Sequence, residues 1–492
     1  MRKKLLLLSL LLLGGLVGCE DETLSTFNSG SSTSSSGDVG DEIQILYCSP
    51  DGGTTDASGT RESPYDVQYA MNQLKPGGKI VLLEGTYVSS LTIQVSPTIG
   101  ELYPATSEEE MKVMEPDVVD GEYVDVLFDF SMQPFYSANR GISIDSNYWH
   151  IKGFTVTGAG DNGVYIGGNH NIVEDIEVYA CRDSGIQLGR SSSSYNSIDQ
   201  WPSYNLIKNC TSHDNADPSG EDSDGFACKL TTGYGNVFEG CIAYNNIDDG
   251  WDLYSKGESG PIGPVTLIDC VAFNNGITTG GVGSSNSDGN GFKLGGENIS
   301  VAHKVINCIA FDNMACGFTD NSNPGPLYFE NCTAFNNGSR DDDGYNFSTC
   351  RDVATSLNYY KNCLSFCTGS RVSPITGEVR VANSKDEYKG SADHCLFYNG
   401  LSNLYINGIQ ACDYSVEGLK GQLYELDEVP FVSIESIQPQ SSLGTPASKI
   451  ADVHSEWRDE EGNLDLNGFL QLKEDSPLQT MGADNAPLGA NL

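Results

Sequence analysis

Asp224, Asp248, Asp249, Asp252 and Lys293 are the residues of this chain best suited to chemistry. They lie in three variants of one phrase: Asp224-Gly225-Phe226-Ala227-Cys228, Asp249-Gly250-Trp251-Asp252-Leu253 and Asn290-Gly291-Phe292-Lys293-Leu294. If the phrases stack, Asp224 and Asp249 share one column, and Asp252 and Lys293 share the column three residues on. Four carboxylates so close do not all stay ionised without a counter-charge. A hard cation with oxygen ligands resolves that conflict, and an all-carboxylate, water-completed shell suits Ca2+. A neutral lysine beside it is a base. One Asp-Gly pair alone is an ordinary turn signal. The stacked quartet, with a lysine on the next coil, points to a site.

Stacking requires a repeating scaffold, and residues from about 150 to 400 supply one, with a period of roughly 22 to 41 residues. One half of each repeat is a short strand with Cys at a fixed place, as in Asn209-Cys210-Thr211, Gly240-Cys241-Ile242, Asp269-Cys270-Val271, Asn307-Cys308-Ile309 and Asn331-Cys332-Thr333. Weaker copies centre on Cys363 and Cys395, and degenerate ones on Phe154 and Ile176. The other half is the small–Gly–aromatic phrase, with seven copies: Gly163-Val164, Gly185-Ile186, Gly225-Phe226, Gly250-Trp251, Gly291-Phe292, Gly317-Phe318 and Gly344-Tyr345. Short alternating strands between Asn, Asp and Gly turns predict an all-β chain, a right-handed parallel β-helix. Each coil lies on the next at about 4.8 Å, so like residues form ladders, including asparagine ladders at the turns. A propeller blade needs about forty residues, more than the shortest repeats contain.

Strand alternation then sets directions. Phe226, Trp251 and Phe292 point inward, as do Cys228, Leu253 and Leu294, while Ala227, Asp252 and Lys293 point outward. A short helix from about Asp66 to Leu74 is expected to cap the open end of the cylinder and hide its edge. The ladder position makes most of the fifteen cysteines small buried core residues rather than disulfides.

The remaining chain reads as delivery and tail. Residues 1–18 form a signal: Arg2, Lys3 and Lys4, then an apolar run too short to span a bilayer. Its end, Leu16-Val17-Gly18-Cys19, resembles the lipobox of bacterial lipoproteins, which implies acylation of Cys19. The acidic Glu20, Asp21 and Glu22 resemble the surface-export signal of Bacteroidota lipoproteins, which implies an outer-membrane, cell-surface address. Residues 19–42, rich in Ser and Gly, are expected to be a flexible tether. The β-helix domain is expected over 43–415, and a tail over 416–492 that packs on the coils or caps them. A net charge of −40 excludes nucleic acid and an anionic membrane as partners, since both need clustered cations. Membrane attachment is expected only through the lipid, and the protein is expected to be a monomer.

The segment from about Asp222 to Asn337 resembles the polysaccharide lyase family 9 pectate lyases. That family places one aspartate on one coil, an Asp-Asp-Gly-x-Asp group on the next, and a lysine in an Asn-Gly-Phe-Lys phrase on a third. Asp224, Asp248, Asp249, Asp252 and Lys293 match residue for residue. The resemblance implies Ca2+ held by the four aspartates and Lys293 as the base. It implies β-elimination of 4-linked galacturonate in an acidic plant cell-wall polysaccharide, homogalacturonan first, to 4,5-unsaturated products. Rhamnogalacturonan I is an alternative substrate of the same mechanism. An expanded loop at 276–289, just before Lys293, leaves that choice open. Asp248 and Asp249 would also serve a β-helix glycoside hydrolase as acid and base, leaving Lys293 idle. A non-catalytic glycan-binding solenoid is the third reading. Trp201, Lys256, Arg340 and Arg351 are possible sugar or carboxylate contacts, and the six histidines show no metal spacing.

Overall fold

The computed structural model describes residues 43–339, 344–349, 358–368, 379–380, 390–408, 421–437, 457–459 and 462–492. The signal, Cys19, the tether, Arg340, Arg351 and the boundary expected at 415 lie outside the described residues. Among the described residues no helix is long and apolar enough to cross a membrane.

Three parallel ladders wind around one apolar interior, giving the β-helix expected. The first runs from Ile45–Gly53 through strands such as Leu206–Lys208 and Val237–Glu239. The second runs from Gly85–Val88 through Thr211–His213 and Ile242–Tyr244. Both end on Ser391–Tyr398, which turns back antiparallel against Asn403–Gly408. The third ladder has ten strands among the described residues and carries the glycine phrases. The helix is Val67–Gln73; Asp66 caps it by accepting from the Tyr69 amide, and Val67, Ala70 and Met71 are buried.

The turns explain the repeat. The residue before each ladder cysteine adopts a left-handed backbone, with φ of 52° at Asn209, 63° at Gly240 and 54° at Asn307. Asn, Asp and Gly tolerate that region, which accounts for the Asn/Asp/Gly-Cys dipeptides. The first residue of each later pair does the same, with φ of 51° at Asn245 and 53° at Asn274. The second residue, Asn215, Asn246, Asn275, Asn313 or Asn337, enters a buried ladder whose side-chain amides donate upward at 2.9–3.0 Å, ending on Asn346. Asn275 shows what each member does. Its Nδ2 donates to Asn313 Oδ1 and the Ala243 carbonyl, and its Oδ1 accepts from Asn246. Asn275→Ala strands several of these groups in a dry interior, at about 1–3 kcal/mol each. A loss of about 3 kcal/mol is expected in denaturant unfolding; a loss under about 1 kcal/mol would show that the ladder is not a structural element.

Cys210, Cys241, Cys270, Cys308, Cys332, Cys363 and Cys395 are wholly buried, as a core column should be. Phe226, Trp251, Phe292, Phe318 and Phe347 form a second column with ring centroids 4.7–4.8 Å apart. This corrects one reading. Phe347, not Tyr345, stands over Phe318, so the seventh phrase is Asn346-Phe347. The asparagine ladder closes on Asn346, and that hydrogen bond overrides the Gly344-Tyr345 resemblance. An earlier copy, Gly141-Ile142, also belongs to the column.

The described part of the tail lies along the coils. Trp457 meets Tyr244 and Phe273 edge-on at 5.5 and 5.6 Å, and Phe469 meets Phe311 at 4.7 Å. Their apolar cluster covers the outer face of the second ladder, leaving the third to carry the polar site.

Candidate active site

The register places the candidate residues as the repeat requires. Phe226 pairs with Trp251 and Ala227 with Asp252, which puts Asp224 below Asp249. Trp251 pairs with Phe292 and Asp252 with Lys293. The stacked rings beneath hold this alignment, because a one-residue slip would turn every ring outward. Asp224, Asp249 and Asp252 each offer a carboxylate oxygen, and the three oxygens lie within 4.8 Å of one another. Asp248 stands beside this trio and not in it, with its Oδ1 accepting the Asp288 amide.

The site is not an open outer face as expected. Asp224 and Asp249 are fully buried, and Asp252 and Lys293 are 4% and 8% exposed. The loop before Lys293 covers them: Thr279 is tied to Asp214, and Asp288 returns to within 2.8 Å of Lys293 Nζ. Lys293 Nζ also lies 3.1 Å from Asp249 Oδ2 and 3.9 Å from Asp252 Oδ2.

Lys229, Asp288, Ser184 and Asn290 were not among the candidates. Lys229 Nζ donates to Asp224 Oδ2 at 2.7 Å and to Asp252 Oδ2 at 3.2 Å. The alternation that aims Asp252 outward also aims Lys229 outward, two residues beyond Ala227, and that signal could have found it. Ser184 Oγ donates to Asp224 Oδ2, and Asn290 donates to Asp249 Oδ1 through both its backbone and its side chain. Trp201 is buried and Lys256 faces Glu258 at 3.6 Å, so neither joins the site. His213 is held between Glu177 and Asp214.

The electrostatics are those of buried carboxyls in excess over the two lysines among them. Burial pushes the Asp224 and Asp249 carboxyls up to about 7, against the pull of Lys229 and Lys293 respectively. Burial, then Asp249 and Asp224, raises Asp248 well above the carboxylate range. Burial alone would lower Lys293, but Asp249, Asp252 and Asp288 outweigh it and hold its ammonium charged. Asp252 Oδ1 is buried and accepts no hydrogen bond. An orphaned oxygen on one of three aspartates whose carboxylates converge to within 4.8 Å fits an oxygen-loving metal ion.

The family profile described as "Pel9A-like, right handed beta helix region" matches residues 46–368. Over 294 residues the chain is 48% identical to a pectate lyase L of Paenibacillus polymyxa, covering 60% of this chain and 63% of that one. Over 295 residues it is 43% identical to a pectate lyase L of Thermoclostridium stercorarium, covering 59% of this chain and 22% of that one. The chain thus spans less than two thirds of the length of either relative. The crystal structure of pectate lyase Pel9A superposes with a TM-score of 0.66 at 24% identity, covering 92% of this chain and 97% of that one, and shares the fold.

Proposed function

Because the chain belongs to the Pel9A-like right-handed β-helix family, we propose that it is a pectate lyase, cleaving 4-linked galacturonate in pectic polymers by Ca2+-dependent β-elimination. The observation that carries this reading is Lys293 on the rung next to a buried aspartate trio, its Nζ facing two of the three. Asp224, Asp249 and Asp252 are the proposed ligands, with Asp248 beside them completing the anionic wall. Ca2+ held there would supply the positive charge that offsets these carboxylates and the substrate's own and that stabilises an anion at C5. With Asp249 and Asp252 engaged by the metal, Asp288 would be the main anion still opposing the burial that favours the free amine of Lys293. Lys293 Nζ then takes the C5 proton, the C4–O bond breaks, a C4=C5 double bond forms, and the leaving oxygen takes a proton from water. Asp288 receives the lysine ammonium once the proton has moved. The stacked rings and the Asn290 hydrogen bonds keep Asp249 from shifting during this exchange.

The test is an ultraviolet assay for the conjugated uronate on de-esterified homogalacturonan, with rhamnogalacturonan I in parallel. Absorbance is expected to rise in calcium, to stop with a chelator, and to return with excess Ca2+. Cleavage with no rise would mark a hydrolase, and binding without cleavage a glycan-binding solenoid. Anchoring through Cys19 at the outer-membrane surface is part of the proposal. A fatty-acid label on the wild type that Cys19→Ala loses would support it, and a label retained by Cys19→Ala would refute it.

A further inference from the structure

A groove opens on the third ladder, toward the N-terminal end from the aspartates. Its volume is about 630 Å3. Gly167 and Gly168 form part of its floor with Asp145, and the 96–99 and 191–200 segments form its walls. Asp145, Gly167 and Gly189 follow the paired strands Ile142–Ile144, Val164–Ile166 and Ile186–Leu188, and Lys229 follows the next, Phe226–Cys228. Groove and aspartates therefore share one side of the cylinder. Three rungs separate Gly167 from the strand of Asp252, about 14 Å at the inter-strand spacing. That is the length of a short oligosaccharide.

The lining differs in kind from the acidic site. Among the described residues its lining holds no lysine or arginine, and Asp145 is the one charged residue. Arg190, at the start of the second wall, is engaged by the Tyr195 carbonyl and Asn196 Oδ1. Asp145 accepts from Gln94 Nε2 at 2.7 Å and Ser143 Oγ at 3.3 Å, which leaves carboxylate lone pairs for further donors. Ser191, Asn147 and Asn169 add hydroxyl and amide groups, and Pro97, Ile99 and Tyr195 add apolar surface. The floor admits nothing larger than glycine: a Cβ on Gly167 would lie 2.4 Å from Asp145 Oδ1 and 2.8 Å from the Ser191 Cβ. Uncharged donors and acceptors around a small apolar surface suit a pyranose, which presents hydroxyls at its rim and C–H bonds on its face. Arg140 acts on Asp145 but is itself turned onto the Tyr165 ring and toward Asp161 at 3.7 Å, so the charge lining the groove is a carboxylate, which favours hydroxyl donors over a uronate.

We propose that this groove is a distal subsite for an uncharged sugar unit of the same polymer, either a methyl-esterified uronate or a neutral hexose. It rests on the reading of the aspartates and Lys293 as the cleavage site. The enzyme would then select chains whose acidic unit lies a few residues from a neutral one.

Binding tests it without turnover. The full-length chain carrying Lys293→Ala is titrated calorimetrically, in chelator, with three tetrasaccharides: free galacturonate, its full methyl ester, and alternating rhamnose–galacturonate. One or both of the two less acidic ligands are expected to bind about fivefold more tightly than the free acid, the upper end for a single solvent-exposed charge contact. The tighter of the two names the source of the neutral unit. Asp145→Asn should bring the ratio to within about twofold, and Thr98→Trp, on the exposed wall, should weaken the preferred ligand about tenfold. A free acid that binds as tightly as the others overturns the proposal. So does a preference that both variants leave unchanged, which would trace to the overall charge of the protein. Failure of elimination by the wild type would sink the catalytic reading and leave these affinities standing.

Discussion

Lys293→Ala lowers kcat on de-esterified homogalacturonan by about a thousandfold, within the range of a positioned general base and equal to about 4 kcal/mol of transition-state stabilisation. The loss falls on kcat rather than KM, because the lysine acts on the C5 proton. Calcium affinity is expected to persist in this variant, since the three aspartate oxygens stay in place on their own rungs. Lys293→Arg separates charge from basicity. It restores the cation beside Asp249 and Asp288, but a guanidinium does not give up its proton. Activity recovered in Lys293→Arg, or retained in Lys293→Ala, would show that another group is the base.

Asp249→Ala is the second large effect. Asp249 is the member of the trio that faces Lys293 most closely and that Asn290 holds by two hydrogen bonds. Its loss removes a direct ligand. Altering outer-shell residues already weakens metal binding 10–100-fold, so a loss of at least about a hundredfold in Ca2+ affinity is expected, with activity near background. Calorimetric titration of Ca2+ reads the first quantity and the ultraviolet assay the second. Asp249→Asn keeps the shape and the Asn290 contact through its carbonyl, and should fail almost as completely because the ion needs the charge. Unchanged calcium affinity in both variants would remove Asp249 from the ligand set. Lys293→Ala and Asp249→Ala thus part company: one binds metal and does not turn over, the other does neither.

The two halves of the site differ in how far the sequence revealed them. The stacking of Asp224 on Asp249, and of Asp252 on Lys293, was legible because a glycine and an inward aromatic mark the same place on successive coils. Such a column has one register that keeps its rings inside. Lys229 belongs to no repeated phrase; the column that holds it continues with Tyr254, so no ladder announced it. Asp288 comes from an irregular loop whose return path depends on Thr279 meeting Asp214, a contact between residues far apart in sequence. The burial of the site was missed for the same reason. Periodicity describes rungs and says nothing of what folds over them. The slip at Tyr345 is instructive in another way. Two ladders competed for one stretch of chain, and the side-chain amide of Asn346 settled the register where the glycine phrase alone misled.

A stack of parallel coils is also a ruler with fixed graduations. Any two points on its long side are separated by a whole number of steps, and rotation about the axis changes little from one step to the next. Duplicating one coil between Gly167 and Asp224 would therefore lengthen the gap between groove and aspartates by a single increment of about 4.8 Å without redesigning either. In such an architecture, the spacing pattern a polymer must carry becomes a matter of integer arithmetic, open to change by gene duplication rather than by remodelling a pocket.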